Sequence, residues 1–297
     1  LGAFLAGENY SDIFIQDHII PMGAAIWSTA ADGMLGFPAR SFIEFYANHG
    51  MLQFRNRPYW RTVTGGSREY VRQLVDDGGF EVQRGNPVRR VVRQPDYVHI
   101  TDDRGGIRPF DQIVIATHAD HALRLLDEPD ALEAKLLGTF RYQTNTAVLH
   151  RDPRWMPKRR RLWSSWNYLK QRKGADNDLC VTYWMNRLQN LQAGANLFVT
   201  LNPYAAIHPK AVEATFDYDH PIFDNATLEA QKNLWAIQGT RRTWFCGSYF
   251  GYGFHEDGAQ SGLAVAERLG GMNRPWPVSG HASRIALPEF AAGEAAE

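Results

Sequence analysis

Residues 243–270, TWFCGSYFGYGFHEDGAQSGLAVAERLG, decide how the rest of this chain is read. The apolar run at 244–246 stops at Gly247. A loop rich in glycine and aromatic residues then leads through His255, Glu256, Asp257 and Gly258 into a helical pattern carrying Leu263, Val265, Ala266 and Leu269. The reading is strand, glycine-lined loop, helix. Gly258, Ala259, Ser261 and Gly262 are expected in the first helical turn, where N–H groups without intrahelical acceptors and the positive end of the dipole face outward. A flat, electron-rich ligand with carbonyl oxygens suits such a place. An ordinary β-α unit whose glycines serve only tight turns and close packing uses the same residues, so this stretch alone does not separate the two.

Working outward, the bulk numbers remove several classes. The 297 residues are enough for about two domains and a full core. Lys plus Arg equals Asp plus Glu at 32 each, which argues against a nucleic-acid binder with a broad basic face. The longest apolar run, near residues 19–27, contains Pro21 and Gly23 and falls short of the roughly 20 residues of a membrane span. Cys180 and Cys246, each inside an apolar run, read as buried reduced thiols of a cytoplasmic protein rather than a disulfide or a metal cluster. Residue 1 is Leu, and the chain opens directly in a helical pattern, so a fragment of a longer polypeptide is expected.

From the N-terminus, Ser11 is a natural cap for a helix that Pro21 should end, and a second helix over residues 39–49 buries Phe42, Phe45 and Tyr46 before Gly50. His49 reads as a helix-end residue satisfied by a carbonyl. Residues 59–76, YWRTVTGGSREYVRQLVD, place Gly65, Gly66 and Ser67 before a helix with Tyr70, Val71, Leu74 and Val75 on one face, with Ser67 as its cap. Val82, Val88, Val91, Val92, Val98 and Ile100 alternate around turns and read as an antiparallel meander. It feeds a continuous apolar strand over 110–117, then a helix. His118 and His121 lack further ligands at sensible spacing and are read as residues of the strand-to-helix turn, with no metal. Residues 144–150, 162–169, 179–185 and 197–201 form aromatic, β-branched runs of an antiparallel or mixed sheet. Its Trp163, Trp166, Tyr168, Tyr183 and Trp184 either line an apolar pocket or pack in a core. The basic stretch at 154–161, with Trp155 and Met156, is either a solvated loop or a peripheral contact for anionic lipid.

Three blocks in this order resemble the FAD-dependent amine oxidase and phytoene desaturase superfamily. PMGAAIWS, NHGML, TVTGGSREYV, SSWNY and GYGFHEDG are similar to its bacterial "NAD/FAD-binding protein" branch. The resemblance implies an α/β (mixed α+β) fold: an incomplete FAD-binding Rossmann-like domain, residues 59–127 and 241–272, interleaved with a substrate domain. The latter comprises helices in 1–58 and the sheet and helices of 128–240, with a disordered tail at 273–297. It also implies FAD contacts at Trp60, Gly65, Gly66, Ser67, Val88, Ala116, Thr117, Gly247, Ser248, Gly258, Ala259 and Ser261. Phe254, His255 and Glu256 are placed nearest the reacting face, Phe254 as an aromatic wall and His255 as a proton acceptor. Two departures stand out. The G-x-G-x-x-G fingerprint is missing, and so is the acidic ribose ligand that follows it. Where many amine oxidases carry a Lys, this chain has Asn145 or Thr146. The expected function is an FAD-dependent oxidoreductase, or its C-terminal part, passing hydride to flavin N5 from an apolar, lipid-like or amine substrate. The alternative is a cofactor-free binding or scaffold module of a lipid-modifying system.

Overall fold

A computed structural model describes residues 1–29, 31–53, 55–56, 58–170, 179–276 and 284–288. The helices are α1 Gly2–Gly7, α2 Asp12–Phe14, α3 Ile20–Trp27, α4 Ala31–Gly36, α5 Ala39–Asn48, α6 Arg68–Gly78, α7 Ala119–Leu125, α8 Ala131–Leu137, α9 Met185–Leu188, α10 Asn225–Asn233 and α11 His255–Gly270. The strands are β1 Val88–Arg93, β2 Val98–Asp102, β3 Ile107–Phe110, β4 Ile113–Ile115, β5 Arg141–His150, β6 Trp166–Lys170, β7 Leu179–Trp184, β8 Phe198–Leu201, β9 Val212–Ile222 and β10 Thr243–Phe245. The chain forms two compact units, residues 1–82 with 142–220, and residues 83–141 with 221–297. The glycine-serine segment at 65–67 and α6 fall in the first unit. The boundaries drawn from sequence had grouped them with residues 83–127.

In the first unit, helices pack through aromatic side chains. Trp27 meets the rings of Phe37, Phe42 and Phe45 at 4.3, 5.9 and 5.0 Å. Pro21 does not end the first helix. A single π-turn at Ile15–Ile19 leads straight into α3, and this widened turn just ahead of Pro21 accommodates its ring and missing N–H within a continuous helix. Ser11 does accept from Phe14 N, and His49 Nδ1 lies 2.8 Å from Phe45 O. The five-stranded sheet runs β6-β7-β8-β5-β9. Strand β9 escaped the sequence reading because Asp217 and Asp219 interrupt it. The fold uses both, since they accept hydrogen bonds from the Thr146 and Thr144 hydroxyls on β5 at 2.7 and 2.5 Å. A buried polar row crosses the same sheet. His150 Nε2 lies 2.7 Å from Thr200 Oγ1, which lies 2.8 Å from Thr182 Oγ1. Burial pushes the His150 pKa down to about 4.

In the second unit, β1, β2 and β3 form the expected antiparallel meander. The apolar strand expected over 110–117 is broken at Asp111 and Gln112. Only Ile113–Ile115 pairs in parallel with β10, and Gln112 turns aside so that its Oε1 accepts from Trp244 Nε1 at 3.0 Å. On β10, the Gln238 side chain imitates a neighbouring strand. It donates to Phe245 O at 2.7 Å and accepts from Phe245 N at 2.8 Å.

Cys180 and Cys246 are free and buried, and burial raises the Cys180 thiol to about 12. Trp155 and Met156, the aromatic and apolar residues read with the basic stretch, are buried. No helix among the described residues is long and apolar enough to cross a membrane. Most of the expected disordered tail, including residues 289–297, lies outside the described residues. Its described parts, 273–276 and 284–288, pack back on α11 through Arg274 and Arg284, and Ile285 is buried.

Candidate functional site

The second unit gathers its site residues at the carboxyl ends of β4 and β10, where ligand crevices form in parallel α/β sheets. Cys246 N continues the ladder to Ile115 O at 3.2 Å, which sets Ala116 and Thr117 beside Gly247 and Ser248. A Cβ on Gly247 would stand 2.7 Å from the Tyr249 ring and 3.3 Å from Thr117 O, so only glycine lets the two strand ends approach. Ser261, fully buried, fastens this corner. Its Oγ accepts from Gly247 N at 3.0 Å and lies 3.1 and 3.0 Å from the carbonyls of Gly247 and Gly258. The Ser261 hydroxyl is therefore a brace inside the protein. Gln231 of α10 braces the same loop by donating to Tyr249 O and Gly251 O at 2.9 and 2.6 Å.

Helix α11 starts three residues earlier than its small residues imply. Asp257 Oδ2 reaches back to Phe254 N at 2.8 Å, half of a capping box, and thereby starts the helix at His255. Gly258 is then the fourth helical residue, and its N–H already bonds Phe254 O at 3.2 Å, as does that of Asp257 at 3.1 Å. The expectation that the amides of Gly258 and Ala259 open the helix is corrected. That position belongs to His255 and Glu256, the first two residues of α11. Both side chains are exposed, and Glu256 Oε1 accepts from Gln260 Nε2 at 2.8 Å. Phe254 is half-buried under the Arg284 guanidinium, 5.4 Å from its ring centre.

A groove of about 570 Å³ in the same unit is lined by Val88, Ala116 and Thr117 together with Arg89, His121 and Arg124. His118, Asp120 and His121 bring their ligand atoms within 4.8 Å of one another. Asp120 is, however, paired to Arg124 at 3.0 Å, and a helix start disfavours cations, so the cluster makes a poor metal site.

The first unit holds a cavity of about 1080 Å³ walled by Pro21, Met22, Ala25, Ile26, Phe45, Met51, Trp60, Trp166, Tyr168 and Val181. Asp17, His18, Arg61 and Arg187 are its charged residues. The aromatic wall read from sequence divides. Trp166 and Tyr168 face the cavity, whereas Trp163 and Trp184 pack with Met156 and Phe198 in a core, and Tyr183 meets Trp166 edge-on. The helical wall was missed, although the small apolar run at 22–26 before Trp27 is the pattern that allows a helix to border a cavity. Gly65, Gly66 and Ser67 line neither cavity. Ser67 stands at the N-cap of α6 without a side-chain cap bond, and α6 buries none of its residues. Asn145, one of the two residues matched to the family's Lys in the sequence, is fully buried. Its Nδ2 lies 3.0 Å from His220 Nδ1, and its Oδ1 accepts from Asn202 at 2.6 Å, so it is held as part of the sheet.

Residues 14–189 match the flavin containing amine oxidoreductase family. No curated protein sequence matches the chain. Among solved structures, the chain is similar to a conjugated-linoleic-acid-producing fatty acid isomerase from P. acnes (TM-score 0.60, 15% identity, 85% of this chain and 62% of that one). It is also similar to a putrescine oxidase bound to putrescine (0.57, 16%, 85% and 64%) and to cyclohexylamine oxidase from Brevibacterium oxydans (0.53, 15%, 91% and 67%). At these identities the likeness concerns the fold, and the chain spans about two thirds or less of the length of each. With the family match covering more than half of its residues, this chain belongs to the flavin containing amine oxidoreductases.

Proposed function

We propose that the chain supplies the substrate cavity and part of the flavin-binding surface of an FAD-dependent oxidoreductase acting on an apolar, lipid-like substrate. The observation that carries this reading is the cavity of about 1080 Å³ in a chain of this family, with eleven of its 21 lining residues apolar or aromatic. The similar structures include enzymes named for a fatty acid and for amines. The apolar part of the wall, and Asn145 or Thr146 where many amine oxidases carry a Lys, favour the first kind.

The residues present fit a flavin at the start of α11. Gly258 is half-exposed and Ala259 exposed, and a Cβ on Gly258 would meet only Ser248 N, at 3.8 Å. A planar ring can approach that surface, with the positive end of the helix beside it. Val88, Ala116 and Thr117 would take the nucleotide side. When bound, FAD supplies the hydride acceptor at N5. In the first unit the chain's own part is to hold the apolar substrate against Trp60 and Trp166 and exclude water; in the second it is to offer His255, beside Phe254, as a proton acceptor. A cytoplasmic location goes with this reading.

Titrating FAD into the protein tests it, alone and joined to a G-x-G-x-x-G unit. Yellow colour, quenched flavin fluorescence and a raised Tm in the joined form are expected. A colourless joined protein whose Tm ignores FAD would defeat the reading and favour a cofactor-free binding module.

A further inference from the structure

The chain beyond α11 returns to the helix that it leaves. After Gly271, Arg274 is pinned to Glu267, its backbone N and Nη2 each 2.9 Å from the carboxylate. Ten residues on, Arg284 sits at the opposite end of the same helix. Its Nε lies 3.0 Å from Asp257 Oδ1 and its Nη2 donates to Asp257 Oδ2 at 3.2 Å. Its backbone N donates to Gln260 Oε1 at 3.0 Å, and its guanidinium lies over the rings of Tyr252 and Phe254 at 4.9 and 5.4 Å.

Asp257 is the reason this contact matters. Its carboxylate is sealed, with 0% exposure, and Arg284 retains only 17%. It also stands where a Cβ of Gly251 would otherwise go. The charged groups around it are Arg284 from the returning segment and Glu256 beside it on α11. Burial pushes the Asp257 pKa up and Arg284 draws it back. The same carboxylate holds Phe254 N–H and so sets where α11 begins.

We infer that Arg284 is a positioning residue: by clamping Asp257 from the returning C-terminal segment, it holds residues 251–257 in the arrangement that presents the start of α11 to the flavin. The clamp makes Arg284 part of what supports the cofactor site, although no residue of the described stretch 284–288 was read as functional in the sequence. In its flavin part the inference rests on the function proposed above. The clamp itself does not.

Hydrogen exchange of residues 254–258, and Tm between pH 4 and pH 8, measured on the whole chain with Arg284→Gln, Arg284→Lys and Asp257→Asn, test the clamp. In R284Q the buried carboxylate ionises without a counter-charge as pH rises. Exchange at 254–258 should therefore quicken at least tenfold at pH 8, and Tm should fall with rising pH more steeply than in the wild type. R284K should restore much of both, and D257N with R284Q should lose the pH dependence. A role in packing alone predicts a pH-independent loss that Lys does not rescue. That result, or R284Q behaving as wild type, overturns the inference. Should R284Q fail to fold, R284K against wild type carries the same comparison. FAD titration separates the two claims: no binding by the wild type counts against the proposed function and leaves the exchange result to judge the clamp. Wild-type binding that R284Q leaves within twofold overturns the positioning role.

Discussion

Two segments of this chain share one sequence logic, glycines and a serine ahead of an amphipathic helix, and they end in different physical states. At the start of α11 groups from distant parts of the chain converge: Ser261 braces Gly247, Asp257 caps Phe254, and Gln231 holds the loop carbonyls. At the start of α6, Ser67 makes no cap bond, nothing lies within 4 Å of a Cβ on Gly66, and the helix exposes Val71 at 51% and Leu74 at 63%. The pattern licenses a helix start in both places. What differs is whether long-range partners converge on it, and only convergence turns a helix start into a rigid site.

The contrast is open to direct attack. The largest effect should come from Gly251→Ala, whose methyl would invade the sealed Asp257 carboxylate: a loss of about 3 kcal/mol in denaturant unfolding. Gly66→Ala should cost about 1 kcal/mol, from its φ of +89° alone. Equal losses would erase the distinction between the two starts.

Next is the buried His150 row, which sharpens the point that sealed polar groups carry conditional stability. Its folded pKa of about 4 lies below the ordinary value of 6.5, so the unfolded chain binds the proton first as pH falls. Stability should be intact above pH 6.5 and decline by roughly 2–3 kcal/mol on going down to pH 4. His150→Gln should flatten that part of the profile, and an unchanged slope would remove His150 from the account.

Ser261→Ala should then cost about 2 kcal/mol, because the Gly247 N–H is left without its acceptor. Ser67→Ala should stay within about 0.5 kcal/mol. The smallest effect is expected from Leu74→Ser on the exposed face of α6, again within about 0.5 kcal/mol. A large loss there would show that α6 is buried in solution by something this chain does not itself provide.

Much of the architecture was legible in the order of residues, because it depends on short-range periodicity. The meander of β1 to β3, the strand–loop–helix at 243–270, and helix α5 all follow from alternation, helical spacing and turn residues close together in the chain. Family membership followed too, carried by motifs in fixed order and matched across residues 14–189. Contacts between distant residues decided the remainder. Asp257 moved the start of α11 by three residues, and the sheet sent Trp166 to the cavity but Trp163 to the core. Arg284 joined the site from a tail whose composition read as disordered. Local sequence reports the preferences of a few neighbouring residues. Which buried groups find a partner tens of residues away is decided only when the chain closes on itself.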